Sequence, residues 1–257
     1  MQRASSFARA SRSARGRLSD LARSRKARLR QEWVCEAVFR PLAHLVVVPL
    51  ARLGVPPPAV VLTSTACGFA AAVELARGHL IVAALLVQAK TILDNADGQL
   101  ARLTGRVTAF GRYLDSECDL LVNAALFAGI GWATGSPWLA AVGFVALTAV
   151  LSINFNVERL ARGAPAGWDA SVLGRAYGLL YGWQDRLFER ILPERPELFA
   201  VGALAQLGMS SQLLAFGICI AAGDPVTFAW VALAELGAVA ALCTLTSSTR
   251  GVSLDHR

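Results

Sequence analysis

Charged residues are scarce in this chain: Asp, Glu, Lys and Arg make up 17% of its 257 residues, whereas 55% of the residues are hydrophobic. A soluble domain of this size usually carries about a quarter charged residues. The apolar residues lie in long blocks, and such blocks indicate membrane-spanning helices. The composition therefore argues against an ordinary soluble domain and predicts an integral membrane protein.

Cysteine and histidine are also few, with five of the former and three of the latter, and no Cys-x-x-Cys pair occurs. An odd number of scattered cysteines argues against a disulfide framework, and the lack of a Cys/His cluster argues against a zinc site. We expect the cysteines to act as small apolar residues in spans. They are Cys35, Cys67, Cys118, Cys219 and Cys243.

Acidic residues are almost absent from the first 30 residues, where Asp20 stands among ten of the 25 Lys and Arg residues. The segment has no long apolar core and no small-residue cleavage site, so it is not typical of a secretory signal. A basic tail beside an apolar body suits anionic lipid headgroups, at about 1 kcal/mol per cation near the surface. A disordered tail without a specific partner is the equal alternative. Neither interpretation involves nucleic acid.

The order of apolar and polar segments predicts an all-α integral membrane protein. We expect six transmembrane helices around a polar cavity that opens to the cytoplasm, together with interfacial amphipathic helices. The predicted spans are 58–77, 79–103, 108–134, 137–160, 197–222 and 225–247. The predicted division is a basic tail (1–32), an interfacial helix (33–56, helical over 33–53), a transmembrane domain (57–250) with a cytoplasmic interfacial segment (162–196), and a C-terminal tail (251–257).

The positions of the Lys and Arg residues predict the orientation. With the N-terminus inside, Arg77 lies at an outer loop and Lys90 lies within a span, whereas the other 23 lie in cytoplasmic segments or at cytoplasmic ends. Cytoplasmic loops of membrane proteins carry an excess of Lys and Arg. Both termini are therefore expected in the cytoplasm, with the protein in the cell membrane.

Four aspartates fall in the second and third predicted spans, and ionisable groups there indicate a functional site. Residues three or four apart lie on one face of a helix. One stripe on the second span comprises Asp94, Asp97, Gly98, Ala101 and Arg102, and one on the third comprises Gly111, Asp115 and Asp119. The short link at 104–107 makes the two helices antiparallel neighbours, so both stripes can face one cavity.

Converging carboxylates in a site of low dielectric repel each other unless they are protonated or neutralised by a cation. Oxygen ligands favour Mg²⁺ or Mn²⁺ over zinc, and such metals suit phosphoryl chemistry. Gly98 and Ala101 leave room for a ligand, and Arg102 is placed to contact a phosphate. Lys90 lies one turn before Asp94 on the same face, where it can contact Asp94 or a substrate phosphate.

The pattern D-x2-D-G-x2-A-R-x8-G-x3-D-x3-D at residues 94–119 resembles the signature of the CDP-alcohol phosphotransferases at every fixed position. The resemblance in span count and layout covers roughly residues 33–247. One departure lies in the first span, where many relatives carry Pro-Asn and then Thr. This chain has Pro57, Pro58 and Val61 instead, and Thr63, Ser64 or Thr65 is expected to substitute.

The resemblance implies an enzyme that transfers a phosphoalcohol group from a CDP-alcohol to a hydroxyl acceptor in phospholipid biosynthesis, with release of CMP. It implies Mg²⁺ or Mn²⁺ as cofactor, CDP-diacylglycerol as donor, and a homodimer. The implied metal ligands are Asp94, Asp97, Asp115 and Asp119, with Asp119 also the general base. The residues implied to shape the CDP site are Gly98, Ala101, Arg102 and Gly111.

The acceptor is predicted from charge. Three arginines at the cytoplasmic ends of spans are candidates to bind a small anionic alcohol such as inositol phosphate or glycerol phosphate: Arg112, Arg159 and Arg162. The alternative is that they only belong to the excess of positive charge on the cytoplasmic side of membrane proteins. A second enzyme hypothesis is a CDP-choline or CDP-ethanolamine transferase acting on diacylglycerol. Hypotheses of other classes are a membrane cation transporter and a non-catalytic lipid-binding scaffold.

Overall fold

The computed structural model describes residues 29–163, 172–192 and 198–251, and all regular structure in these ranges is helical. This confirms the all-α fold class. Residues 1–28 and 252–257 of the predicted tails, and 164–171 and 193–197 of the polar stretch, lie outside the described residues. The described helices are a π-helical turn (Cys35–Phe39), α1 (Arg40–Arg52), α2 (Pro57–Ala76), α3 (Leu80–Leu103), α4 (Ala109–Thr134), α5 (Pro137–Ala161), α6 (Val172–Ile191), α7 (Leu198–Ala205), α8 (Met209–Ala221) and α9 (Val226–Gly251).

Within the described residues, four helical segments are long and apolar enough to cross a membrane: α2, α5, α7 together with α8, and α9. Helices α3 and α4 have 24 and 26 residues, and each carries four charged residues. At 1.5 Å per residue both are longer than the roughly 30 Å of hydrocarbon in a bilayer. The protein is therefore an all-helical membrane protein, and six as the number of spans stays a prediction.

The segment predicted as an interfacial helix, 33–53, is helical but contains a wider turn, and its place at the interface stays a prediction. The amide of Arg40 donates to the carbonyl of Cys35, five residues back, within the π-helical turn. Pro41 follows directly, and a proline lacks an N–H and crowds the carbonyl four residues before it. The wider turn accommodates Pro41, so the chain stays helical through α1.

The predicted fifth span, 197–222, is found as one candidate span, Leu198–Ala221, but its helix is interrupted, because α7 ends at Ala205 and α8 begins at Met209. Glu32 lies at this break: its Oε1 accepts hydrogen bonds from the backbone N–H (2.6 Å) and the hydroxyl (2.8 Å) of Ser211. A side chain at Gly208 would collide with the Glu32 carboxylate. A buried carboxylate from a distant part of the chain thus caps α8, and helix capping satisfies amides that otherwise lack a partner.

One cluster of aromatic residues in the apolar core lies away from the aspartates. Phe127 of α4, Phe216 of α8 and Phe228 of α9 contact one another, with ring centroids 4.7–6.2 Å apart. Phe127 lies eight residues beyond Asp119, which corresponds to about 12 Å along a helix. The aspartates therefore lie toward the end of the bundle where α3 joins α4, and this aromatic cluster lies toward the other end; a second apolar cluster, with Ala96, Leu100 and Val60, packs behind the aspartates.

Candidate active site

The link between α3 and α4 brings the two halves of the aspartate motif together. Gly105 has a φ of +67°, which favours glycine, and the amide of Arg106 donates to the carbonyl of Ala101 at 2.8 Å. This pattern ends a helix sharply. The Thr108 hydroxyl then accepts from the amide of Gly111 at 3.0 Å and caps α4. Since the link is short, α3 and α4 run antiparallel with their aspartates at the same end.

Three of the four predicted metal ligands converge. One carboxylate oxygen from each of Asp94, Asp97 and Asp115 lies within 4.8 Å of the other two. Asp97 is 6% exposed, and its Oδ2 is buried and accepts no hydrogen bond from any residue that the structure describes. A buried carboxylate oxygen without a donor is costly unless a cation contacts it. The three residues therefore fit a hard divalent cation such as Mg²⁺ or Mn²⁺.

The fourth aspartate has a different neighbour. Asp119 Oδ1 lies 2.5 Å from Lys90 Nζ, and the same ammonium lies 2.9 Å from Asp94 Oδ1. Lys90 is 2% exposed. The predicted contact between Lys90 and Asp94 is thus present, whereas the contact with Asp119 was not predicted. Asp119 as a metal ligand stays a prediction.

The back of α3 is held by polar contacts that the sequence analysis missed. Asn95 donates to the Ser210 hydroxyl at 3.1 Å and accepts from the Cys35 thiol at 3.1 Å. One turn further, Gln99 donates to the carbonyl of Arg40 at 3.1 Å. Asn95 and Gln99 are four apart on a face beside the aspartates, and this spacing was the available signal. These bonds orient α3 so that Asp94 and Asp97 face α4.

The small residues of the motif have local roles in the structure. A methyl group added at Gly98 would lie 3.2 and 3.3 Å from the Arg102 guanidinium nitrogens, so the arginine folds back over this glycine. A methyl group added at Gly111 would lie 3.1 Å from the Thr108 hydroxyl that caps α4. Ala101 and Arg102 are both half-buried beside them. A role of these four residues toward the CDP group stays a prediction.

The three acceptor candidates have different surroundings. Arg112 is exposed near the start of α4. Arg159 donates to the Asn156 side chain at 3.0 Å, and Arg162 forms an ion pair with Glu158. Their role in acceptor binding stays a prediction.

The hydroxyl residues of α2 separate into two kinds. Thr63 and Thr65 donate back to carbonyls of their own helix at 2.8 Å. Ser64 is buried and donates to the carbonyl of Lys90 at 3.3 Å. Among these three hydroxyl residues, Ser64 is therefore the one that donates a hydrogen bond to α3, the helix that carries Asp94 and Asp97.

The amphipathic helix α6 contacts the beginning of α4. The Tyr177 hydroxyl donates to the carbonyl of Tyr113 at 3.1 Å, and the two rings lie 4.3 Å apart. Tyr113 precedes Asp115 by two residues, so α6 covers α4 next to the aspartates. All five cysteines are free in the structure.

Comparison with known proteins agrees with this geometry. Residues 55–238 match the sequence model of the family described as CDP-alcohol phosphatidyltransferase, a range that contains all four aspartates. A phosphatidylinositol phosphate synthase of Mycobacteroides abscessus is 30% identical over 175 residues, which cover 68% of this chain and 73% of that protein. An archaetidylinositol phosphate synthase of Methanothermobacter thermautotrophicus is 38% identical over 93 residues, 36% of this chain and 48% of that protein.

A solved structure is also similar: the Mycobacterium tuberculosis phosphatidylinositol phosphate synthase with CDP-DAG bound. It is 22% identical, covers 77% of this chain and 94% of its own, and has a TM-score of 0.41. The sequence model covers well over half of the chain, and one relative is 30% identical along 68% of it. This protein therefore belongs to the CDP-alcohol phosphatidyltransferase family, as its aspartate motif predicted.

Proposed function

We propose that the protein transfers a phosphatidyl group from CDP-diacylglycerol to the hydroxyl of a small anionic alcohol, with release of CMP, in phospholipid biosynthesis. The observation that carries the proposal is the convergence of Asp94, Asp97 and Asp115 in a chain of this family. Family membership makes the protein a transferase of phosphate-bearing groups. The hypotheses of a cation transporter and of a lipid-binding scaffold thereby lose their support.

Inositol phosphate is the acceptor that we favour. The two relatives described above are named for different lipids, phosphatidyl and archaetidyl, but both are inositol phosphate synthases. Glycerol phosphate is the second anionic alcohol to test. We place the site at the cytoplasmic face with both termini inside, since 23 of the 25 Lys and Arg residues would then be cytoplasmic or at cytoplasmic ends. We propose a homodimer from the family resemblance alone.

In the proposed reaction, the acceptor oxygen attacks the β-phosphorus of the CDP-alcohol. A phosphorus–oxygen bond forms to the acceptor, and the bond from the β-phosphorus to the bridging oxygen breaks, so that CMP leaves with that oxygen. Asp119 takes the proton of the acceptor hydroxyl. Its Oδ1 contacts Lys90, while its Oδ2 accepts no hydrogen bond within the described part of the chain. General-base help of this kind typically contributes about 10²–10⁴-fold.

The remaining residues bind and orient. Asp94, Asp97 and Asp115 would hold Mg²⁺ or Mn²⁺, which stabilises negative charge on a transferring phosphate and its leaving group. Arg102 and the space beside Gly98 and Ala101 would position the CDP diphosphate. The role of Gly111 in this scheme is indirect, because its amide holds the Thr108 cap at the start of α4.

The test is CMP release by the purified protein in detergent or lipid, with CDP-diacylglycerol, Mg²⁺ or Mn²⁺, and a panel of inositol phosphate, glycerol phosphate, inositol and serine. We expect release with one anionic acceptor and its loss on chelation, restored by added metal. Release with CDP-choline and diacylglycerol instead would support the second enzyme hypothesis. No release with any pair, from protein shown to be folded, would contradict the proposed function.

A change at an acceptor arginine tests the anionic acceptor. In single Arg112→Gln, Arg159→Gln and Arg162→Gln variants, we expect at least one to raise the KM for the acceptor by about 10–100-fold, because a hydrogen bond to a charged group contributes about 1.5–3 kcal/mol. The KM for CDP-diacylglycerol should change little. Arg77→Gln, at the exposed opposite end of α2, is the control. A neutral acceptor would leave all four variants alike.

A further inference from the structure

The backbone just before the π-helical turn is tied to the break between α7 and α8. The Trp33 amide donates to the Gln206 side chain at 3.0 Å, and that side chain donates to the carbonyl of Gln31 at 2.9 Å. Glu32 lies between these two contacts and is 2% exposed. A carboxylate buried this far costs free energy unless it has partners, and the proposed reaction does not use it.

Glu32 meets the first turn of α8. Its Oε1 accepts from the amide and the hydroxyl of Ser211, and Gly208 leaves room for the carboxylate. A carboxylate at a helix N-terminus satisfies amides of the first turn and interacts favourably with the helix dipole. Glu32 therefore fixes this turn relative to the segment that precedes the π-helical turn.

The same turn of α8 holds α3 beside the metal ligands. Ser210 is 5% exposed, and its hydroxyl accepts from the Asn95 side-chain amide at 3.1 Å. The Asn95 oxygen accepts from the Cys35 thiol, also at 3.1 Å. Because Asn95 directly follows Asp94, these two contacts restrict the rotation of α3 at the first carboxylate of the motif. Ser210 and Ser211 are consecutive, so a shift of one moves the other.

We infer that Glu32 is a positioning residue for the metal ligand Asp94, and that it acts through the first turn of α8 and through Asn95. Its carboxylate sets the place of Ser210, and Ser210 sets the rotation of α3. Groups that orient a metal ligand typically contribute about 10–100-fold to metal affinity or activity. The inference rests on the metal site of the proposed function, and it adds a residue outside the motif that keeps this site in shape.

A merely structural role for Glu32 would be to attach the N-terminal segment to the bundle. Gln206 makes such an attachment through Gln31 and Trp33, on the same segment and at the same break. Gln206→Leu is therefore the matched control, since it removes contacts of the segment and leaves the Glu32 carboxylate and the first turn of α8 in place. If attachment alone matters, Gln206→Leu and Glu32→Ala should affect the metal site alike.

The experiment is a titration of the purified, detergent-solubilised full chain with Mn²⁺, with free Mn²⁺ followed by electron paramagnetic resonance. We expect Glu32→Ala to raise the apparent Kd for Mn²⁺ by about 10–100-fold. Glu32→Gln, which keeps an acceptor oxygen, should restore most of the affinity. Ser210→Ala should also weaken binding, and Glu32→Ala combined with Ser210→Ala should bind no more weakly than the weaker single variant, because both changes interrupt one path. Gln206→Leu should stay within about twofold of the wild type.

Wild-type affinity in folded Glu32→Ala would overturn the inference and leave the proposed function intact. Additive losses in the double variant, or an equal loss in Gln206→Leu, would also overturn it. A Glu32→Gln variant as weak as Glu32→Ala would do the same, because the loss would then follow the charge and not the contact. If Glu32→Ala does not fold, Ser210→Ala decides: weaker Mn²⁺ binding supports the inference, and wild-type affinity overturns it. No Mn²⁺ bound by the wild type would instead remove the metal site on which the proposed function also depends.

Discussion

Asp97→Asn is expected to abolish Mn²⁺ binding and to lower CMP release by about 10²–10³-fold, a loss typical when one preorganised group that stabilises transition-state charge is removed. Asp97 is the most buried of the three converging aspartates, and its Oδ2 has no hydrogen-bond donor among the described residues. An amide of the same shape supplies no negative charge for a divalent cation. The measurements are Mn²⁺ titration and the CMP-release assay.

The matched control is Asp224→Asn. Asp224 is an exposed carboxylate that accepts from the amide and hydroxyl of Thr227 at the start of α9. An asparagine can keep this cap, so Mn²⁺ binding and CMP release should stay within about twofold of the wild type. An Asp97→Asn protein that binds Mn²⁺ like the wild type would contradict the assignment of Asp97 as a ligand.

Gly143→Leu is expected to cause the largest loss of stability. A Cβ at Gly143 would lie 2.7 Å from Phe127 Cε1 of α4, 2.8 Å from Ala229 Cβ and 3.0 Å from Ala229 Cα of α9. Two helices would have to move apart, because the Ala229 backbone cannot rotate away as a side chain does. Overpacking of this kind costs about 1–3 kcal/mol or more, which corresponds to a fall in Tm of about 2–12 °C.

The control for Gly143 is Gly237→Leu on α9, where an added Cβ has no neighbour within 4 Å. Both variants add a leucine to a helix of a predicted span. The difference between them is the free space around the added side chain, which is small at Gly143 and open at Gly237. Thermal unfolding in detergent, followed by circular dichroism, compares them. Equal Tm values for the two variants would show that the close approach of α5 to α4 and α9 does not limit stability.

The aspartate site could be predicted where its geometry is local. Asp94 and Asp97, and Asp115 and Asp119, are three or four residues apart, and that spacing alone places each pair on one face of a helix. The contact of Lys90 with Asp94 follows from the same rule. The short link after Leu103 then makes α3 and α4 antiparallel, which predicts that the two faces meet.

The contacts that were missed depend on register between distant segments. Lys90 meets Asp119 because the Gly105 turn and the Thr108 cap fix how far α4 is displaced along α3, and spacing within one helix contains no such information. Glu32 and Ser211 are 179 residues apart. Apolar composition is continuous across the break after Ala205, so it predicted one uninterrupted helix, whereas α8 begins anew at Met209 with Glu32 bound to its first turn.

The cap at Ser211 has a consequence for how the protein can recognise anions. The N-terminus of a helix carries a partial positive charge and free amides, which make it a ready site for phosphate groups. At α8 this position already holds the carboxylate of Glu32, at 2.6 Å from the Ser211 amide. A phosphate approaching α8 would meet a negative charge of the protein itself. At this end of α8, an anionic substrate would therefore need side-chain cations to offset the Glu32 carboxylate, and its binding there should weaken as ionic strength rises.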